Sequence, residues 1–192
     1  LHWQDMPAED VEDVRLSVDF GVKELGTHTR LKMSGSIKCS PRKCFELLRD
    51  WERRAEWDDG FKRYRDRKDI GEDAELVEAV FAAGEAECDV QLLRGWKEHK
   101  STGTFVIASR SVQVDDKPGS TRQRGEILPT GYIVSEAAGS GGSASDLIFI
   151  GQFDHATFEL ARQTVLGSFA KLRDLAETGH CRRADDSCKP GP

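Results

Sequence analysis

The sequence contains no asparagine among its 192 residues, so it offers no acceptor for N-glycosylation. Its five cysteines (Cys39, Cys44, Cys88, Cys181 and Cys188) are odd in number and form no CxxC pair. That pattern fits free thiols in a reducing compartment better than a disulfide framework. No GxSxG elbow, HExxH helix, P-loop or GxGxxG turn occurs, which leaves catalysis by a familiar nucleophile or nucleotide site without support. The five histidines (His2, His28, His99, His155 and His180) stand singly, and a metal centre needs at least a local pair. No apolar run reaches the length of a membrane span, and no signal-peptide pattern opens the chain. The first residue is Leu1 rather than Met, as expected of a fragment or a processed form. No metal, no cofactor and a cytoplasmic location are therefore expected.

Hydrophobic residues make up only 38% of the chain and charged residues 32%, with a net charge of −6. The acidic balance disfavours non-specific nucleic-acid binding, which rests on a basic surface. The length suits one domain with a substantial core. Its longest amphipathic stretch is the last. Phe158, Ala161, Val165, Phe169, Leu172 and Ala176 recur at steps of three and four, which predicts a helix from about 156 to 177. Asp154 or Thr157 can cap its start, Glu159 sits early, Lys171 and Arg173 sit late, and Gly179 follows.

What precedes that helix reads mostly as strands. The acidic residues 1–13 suit a linker or the end of an upstream helix. Val14–Phe20 alternates apolar and polar, and Thr29–Lys38 places Leu31, Met33, Gly35 and Ile37 on one face. Ser40 followed by Pro41 is a helix start, and the run to Trp57-Asp58-Asp59-Gly60 predicts two short helices. Strands are expected at Phe61–Asp69, Glu75–Ala83, Cys88–His99, Thr104–Val114, Arg122–Glu136 and Asp146–Phe153. Turns fall at Gly71–Asp73 and Asp116–Gly119. Gly139–Ser145 reads as a flexible linker, since it precedes a strand and offers no helix-terminal amides to a phosphate. No pattern follows Gly179, so residues 179–192 are expected to be a disordered tail behind a domain spanning 7–178.

Two charges fall in otherwise apolar strand faces. With a period of two, Val90, Leu92, Arg94, Trp96 and Glu98 share one face, and Leu76, Glu78, Val80 and Ala82 share another. A buried charge needs a partner or a polar ligand group. Arg94 with Glu78 could therefore anchor the polar end of an apolar molecule, form a structural salt bridge, or lie on an exposed face. The basic run FKRYRDRK interleaves Phe61 and Tyr64 with cations. In an acidic protein it reads as a charged edge strand rather than a nucleic-acid or anionic-lipid contact. Trp51 and Trp57 are expected in the core or in helix packing, and the cysteines as bystanders.

Several ordered motifs resemble the START (steroidogenic acute regulatory protein-related lipid transfer) domain family of the helix-grip superfold. They are Glu56-Trp57-Asp58, the strand Cys88–Arg94, Thr104–Val112, Arg124-Gly125-Glu126-Ile127 with Gly131–Val134, and Leu147–Asp154. The resemblance spans about Val14 to Glu177. It implies an α+β fold: a curved antiparallel sheet wrapped around the long C-terminal helix, with two short helices inserted after the first strands. It also implies a tunnel for one lipid, gated by that helix and adjacent loops. Arg94 matches the family's arginine that pairs with an acid and faces the lipid head group, and Glu78 or Glu98 matches the acid. Cys88 departs from the family's arginine before Asp89, and the link between the last strand and helix shrinks to His155-Ala156.

The site implied is lipid-binding: Arg94, Glu78, Trp96, Glu98, Leu92, Val80, Phe158, Val165 and Phe169. The ligand expected is a sterol, phospholipid, ceramide, fatty acid or pigment. The protein is expected to be a monomer, not an enzyme, peripheral to membranes and in transient contact with their surfaces. Two alternatives remain. One is a lipid-sensing regulatory domain of a larger protein, such as an acyl-CoA thioesterase, whose RPEWD helix resembles Arg54–Asp58. The other is a helix-grip enzyme such as a cyclase or hydrolase, which would need a titratable acid in the pocket.

Overall fold

The computed structural model describes residues 3–6, 12–19, 28–83, 86–112, 125–154 and 158–179. Its strands are β1 (Gln4–Met6), β2 (Val14–Asp19), β3 (His28–Ile37), β4 (Phe61–Asp69), β5 (Ala74–Ala83), β6 (Ala86–His99), β7 (Thr104–Ser111), β8 (Thr130–Glu136) and β9 (Ser145–Asp154). The helices are α1 (Pro41–Arg49), α2 (Arg54–Trp57) and α3 (Phe158–Thr178). The strands form one antiparallel sheet in the order β1-β2-β3-β9-β8-β7-β6-β5-β4. The expected α+β helix-grip architecture is thus present, with α3 against the sheet and α1 and α2 between β3 and β4.

Local chemistry explains the boundaries. Ser40 accepts a hydrogen bond from the Lys43 amide, and Pro41 occupies the first turn, so α1 starts where the sequence predicts. Gly179, at φ +75°, ends α3, and its amide bonds the Leu175 carbonyl. Thr157, an expected N-cap of α3, lies outside the described residues, as do Phe20, the turn 116–119 and the tail from 180. Residues 4–6 are not a linker or helix end. They add a short strand opposite Leu16–Val18, too brief to show any alternation in sequence. The glycine-rich 139–144 segment is a hydrogen-bonded hairpin loop. Gly139, Gly141 and Gly142 take positive φ, and the Gly142 amide bonds Glu136 Oε1 at 2.8 Å.

Two apolar cores result. The larger lies under α1 and α3 and includes Leu31, Met33, Ile37, Phe45, Trp57, Phe105, Leu147, Phe149, Phe169 and Leu172. The smaller holds Trp51, Phe61, Val77, Ala79, Val90 and Leu92 beneath β4–β6. Trp51 and Trp57 are both buried, as expected. Gly35 of β3 lets α3 approach the sheet, because a Cβ there would lie 2.6 Å from the Phe169 ring. Gly35→Val is accordingly expected to cost about 1–3 kcal/mol by overpacking, measured by urea denaturation.

The strand β4 is an edge strand, as its charge predicts. Arg63 bonds Glu87 (3.0 and 2.7 Å) and Arg65 bonds Asp89 (3.1 Å), both on β6. Val80 lies opposite both Arg63 and Asp89. It is fully buried outside either core, on the face of β5 opposite Val77 and Ala79.

Candidate functional site

The phase of β5 decides where the acids point. Glu75, Val77 and Ala79 face inward, and the register places Glu75 directly opposite Arg94. Glu78 lies opposite Gln91, on the other face. The expected Arg94–Glu78 pair is therefore corrected to Arg94–Glu75. Glu98 is not Arg94's partner either: it bonds Arg42 at 2.7 Å near the surface.

Arg94 and Glu75 are 2% and 1% exposed. Arg94 Nε donates to Glu75 Oε1 at 2.5 Å, and its two terminal nitrogens donate to the carbonyls of Leu48 (3.2 Å) and Arg49 (2.6 Å). Those carbonyls end α1, where backbone acceptors lack intrahelical partners and the helix dipole favours a cation. Trp51 Nε1 donates to Glu75 Oε1 at 2.9 Å, Arg67 Nε pairs with Glu75 Oε2 at 2.9 Å, and the Arg94 guanidinium lies 4.3 Å from the Trp51 ring centre. Burial lowers the Arg94 pKa to about 10, so it stays protonated at neutral pH. Every Arg94 nitrogen thus meets a protein acceptor. The residue stands between Leu92 of the smaller core and Trp96, which packs against the larger. In this structure it fastens α1 to the sheet.

A hollow of about 130 Å³ lies elsewhere, between the middle of α3 (Thr164 to Leu172), α2 and the inner faces of β3 and β7–β9. Its floor is apolar, with Met33, Tyr132, Leu147, Phe149 and Phe153, and its roof carries Val165, Phe169 and Leu172. Of the residues expected from sequence, Val165 and Phe169 line it. Phe158 is buried in the larger core, Leu92 in the smaller, and Trp96 packs beneath the Arg49 guanidinium at 3.7 Å.

One end of the hollow is polar. Arg54 and Asp58, one turn apart, form an ion pair at 2.7 Å, and Asp58 Oδ1 also accepts the Gly60 amide at 3.1 Å. The Arg54 guanidinium lies 4.8 Å from the Trp51 ring centre and 5.2 Å from that of Trp57. Ser109 and Thr130 share a hydrogen bond at 3.1 Å. Burial raises the Tyr132 phenol to about 12, keeping it protonated. Sequence reasoning missed this end, although Ser168 falls three residues after Val165 and four before Leu172, on the apolar side of α3.

A family model described as START domain matches residues 2–156. The chain belongs to the START domain family. Among solved structures, it is similar to the human StarD13 (DLC2) lipid transfer and protein localization domain. That likeness has a TM-score of 0.75 at 17% identity, over 92% of this chain and 89% of that one. It is similar to human StAR-related lipid transfer protein 5 with a TM-score of 0.74 at 14% identity, over 93% and 88% of the two chains. The Zhui aromatase/cyclase from Streptomyces sp. R1128 shares the fold at a TM-score of 0.56 and 10% identity, over 79% of this chain and 98% of that one. Among curated proteins, none matches by sequence. The fold is thus shared with structures described as lipid-transfer proteins and with one described as an aromatase/cyclase. No helix of the described residues is long and apolar enough to cross a membrane.

Proposed function

We propose that this START domain binds one lipid in the hollow beneath α3 and carries it between membranes without a chemical step. The observation that carries this reading is an apolar hollow held between the long helix and the sheet. Its volume of about 130 Å³ falls below the roughly 300–1,000 Å³ usual for small-molecule sites. On this reading the hollow widens to admit a lipid when α3 lifts.

The helix is unevenly fastened. Its second half is held by Lys171 to Asp59, Glu177 to the Lys38 amide, Lys43 to the Ala176 carbonyl and Arg173 to the Glu12 carbonyl. Among the described residues, its first half shows side-chain bonds within the helix, Glu159–Arg162 and Thr164 to the Leu160 carbonyl, and buries Phe158 and Leu166 in the larger core. Leu160 is 62% exposed there. The gate is this first half, pivoting on the fastened second half, with Leu160 touching the membrane during transfer. The cyclase alternative needs a free acid or base, whereas the carboxylate lining the hollow, Asp58, is already paired with Arg54.

Mass spectrometry of the organic extract of purified protein is expected to show one lipid class at near-stoichiometric amount. The protein should also accelerate movement of that lipid from donor to acceptor phosphatidylcholine vesicles. An extract free of lipid, with transfer no faster than without protein, would refute the reading.

A further inference from the structure

Cys39, Cys44 and Ser145 meet at the start of α1, away from the hollow. Ser40 is the N-cap, so Cys39 directly precedes the cap and Cys44 is the fourth residue of the helix. Side chains at those two positions pack on each other across a helix start, usually as an apolar staple. Here both are thiols in the larger core, 5% and 0% exposed, and a hydrogen bond joins them. The backbone fixes their approach: the Cys39 amide bonds the Ile37 carbonyl at 2.9 Å, and the Cys44 amide bonds the Ser40 carbonyl at 3.0 Å. The flanking lysines grip the end of α3, the Lys38 amide through Glu177 and Lys43 Nζ through the Ala176 carbonyl.

The two sulfurs are not equivalent. Cys39 accepts from the Cys44 thiol and lies beside Ser145 of β9, whose fully buried hydroxyl has no other partner among the described residues. With the nearby Lys43 ammonium, these contacts outweigh burial and the Glu177 charge and bring the Cys39 pKa down to about 7. Cys44 is pushed well above the usual thiol range, by its bond to Cys39 and then by burial. An ionisable, slightly exposed thiol touching a second thiol held in reserve is the arrangement that undergoes disulfide exchange.

We infer that Cys39 and Cys44 are a modification site that forms a reversible internal disulfide with small-molecule disulfides such as oxidised glutathione. The Cys39 thiolate attacks one sulfur of the oxidant, expels one small thiolate and leaves a mixed disulfide on Cys39. Cys44 then loses its proton, attacks Cys39 Sγ and expels the second. Two protein thiols become one disulfide, and two electrons and two protons leave on two molecules of the small thiol. In a reducing compartment the pair rests as thiols, and an oxidative excursion closes the bridge beneath the fastened end of α3.

Peptide mapping tests this on the folded wild-type chain. The protein is treated at neutral pH with oxidised glutathione, its remaining thiols are blocked with N-ethylmaleimide, and it is digested with trypsin. Trypsin cuts after Lys38, Arg42, Lys43 and Arg49, so the bridge appears as one species joining residues 39–42 to 44–49. Most of Cys39 is expected in that species, and dithiothreitol should return both peptides as free thiols. Cys44→Ser should stop at glutathione held on Cys39, while Cys39→Ser should leave the deeper Cys44 unreacted. Recovery of Cys39 and Cys44 as blocked free thiols in folded wild type would overturn the assignment. So would bridging of Cys39 to Cys88, Cys181 or Cys188 instead. Wild-type mapping alone decides this, whether or not the serine variants fold. Either result leaves the lipid-binding reading standing, because none of the three residues lines the hollow.

Discussion

Arg94→Ala is expected to lower stability by about 3–5 kcal/mol, because it takes the buried cation from Glu75, leaving only Arg67 to balance it, and frees two carbonyls at the end of α1. For a domain of this size that is a fall in Tm of about 6–20 °C, read by calorimetry. Glu75→Gln should fall in the same range, since it leaves the Arg94 charge without a counter-ion. The double variant Arg94→Met/Glu75→Leu should recover part of the loss, since paired buried charges are often replaceable by apolar groups, while the two α1 carbonyls and Trp51 Nε1 stay unmet. Lipid affinity, measured well below each variant's Tm, should be unchanged. A folded Arg94→Ala protein of normal Tm with specifically weakened lipid binding would show that the guanidinium meets the ligand after all.

Val165→Trp is expected to have the opposite profile. Val165 lines the hollow on α3, and an indole there would occupy space the lipid needs. Affinity for any lipid that binds wild type should drop about 100-fold or more, equivalent to about 2.8 kcal/mol. Stability should change little, because the added ring fills a void rather than displacing packed atoms. Undiminished binding by a folded Val165→Trp protein would place the ligand somewhere other than beneath α3. Together the two substitutions separate the clamp that holds α1 from the hollow proposed for the ligand.

The sequence made much of the scaffold readable. The spacing from Phe158 to Ala176 marked α3, Ser40-Pro41 marked α1, and the charge of Phe61–Asp69 marked an edge. The acid facing Arg94 was not readable, for a definite reason. Both faces of β5 carry apolar residues, Leu76 and Val80 on one and Val77, Ala79 and Phe81 on the other. A two-residue period cannot choose between such faces, and only pairing with β6 sets the phase. Trp57 and Asp58 were noticed for their likeness to a family motif, but their neighbourhood with Ser168 joins positions more than a hundred residues apart. That juxtaposition exists only once α3 lies on the sheet.

The arrangement of β4 carries a further consequence. A nine-stranded sheet that does not close on itself exposes main-chain donors and acceptors along both rims, an invitation to stack with a second molecule. One rim is a strand of only three residues. The other is armoured by Arg63 and Arg65, whose guanidiniums are engaged by Glu87 and Asp89 of the same chain. These pairs reach back over β5 to β6 and leave a strand whose side chains are mostly charged and exposed along the rim. Charge along one margin and brevity at the other both disfavour edge-to-edge self-assembly of the sheet.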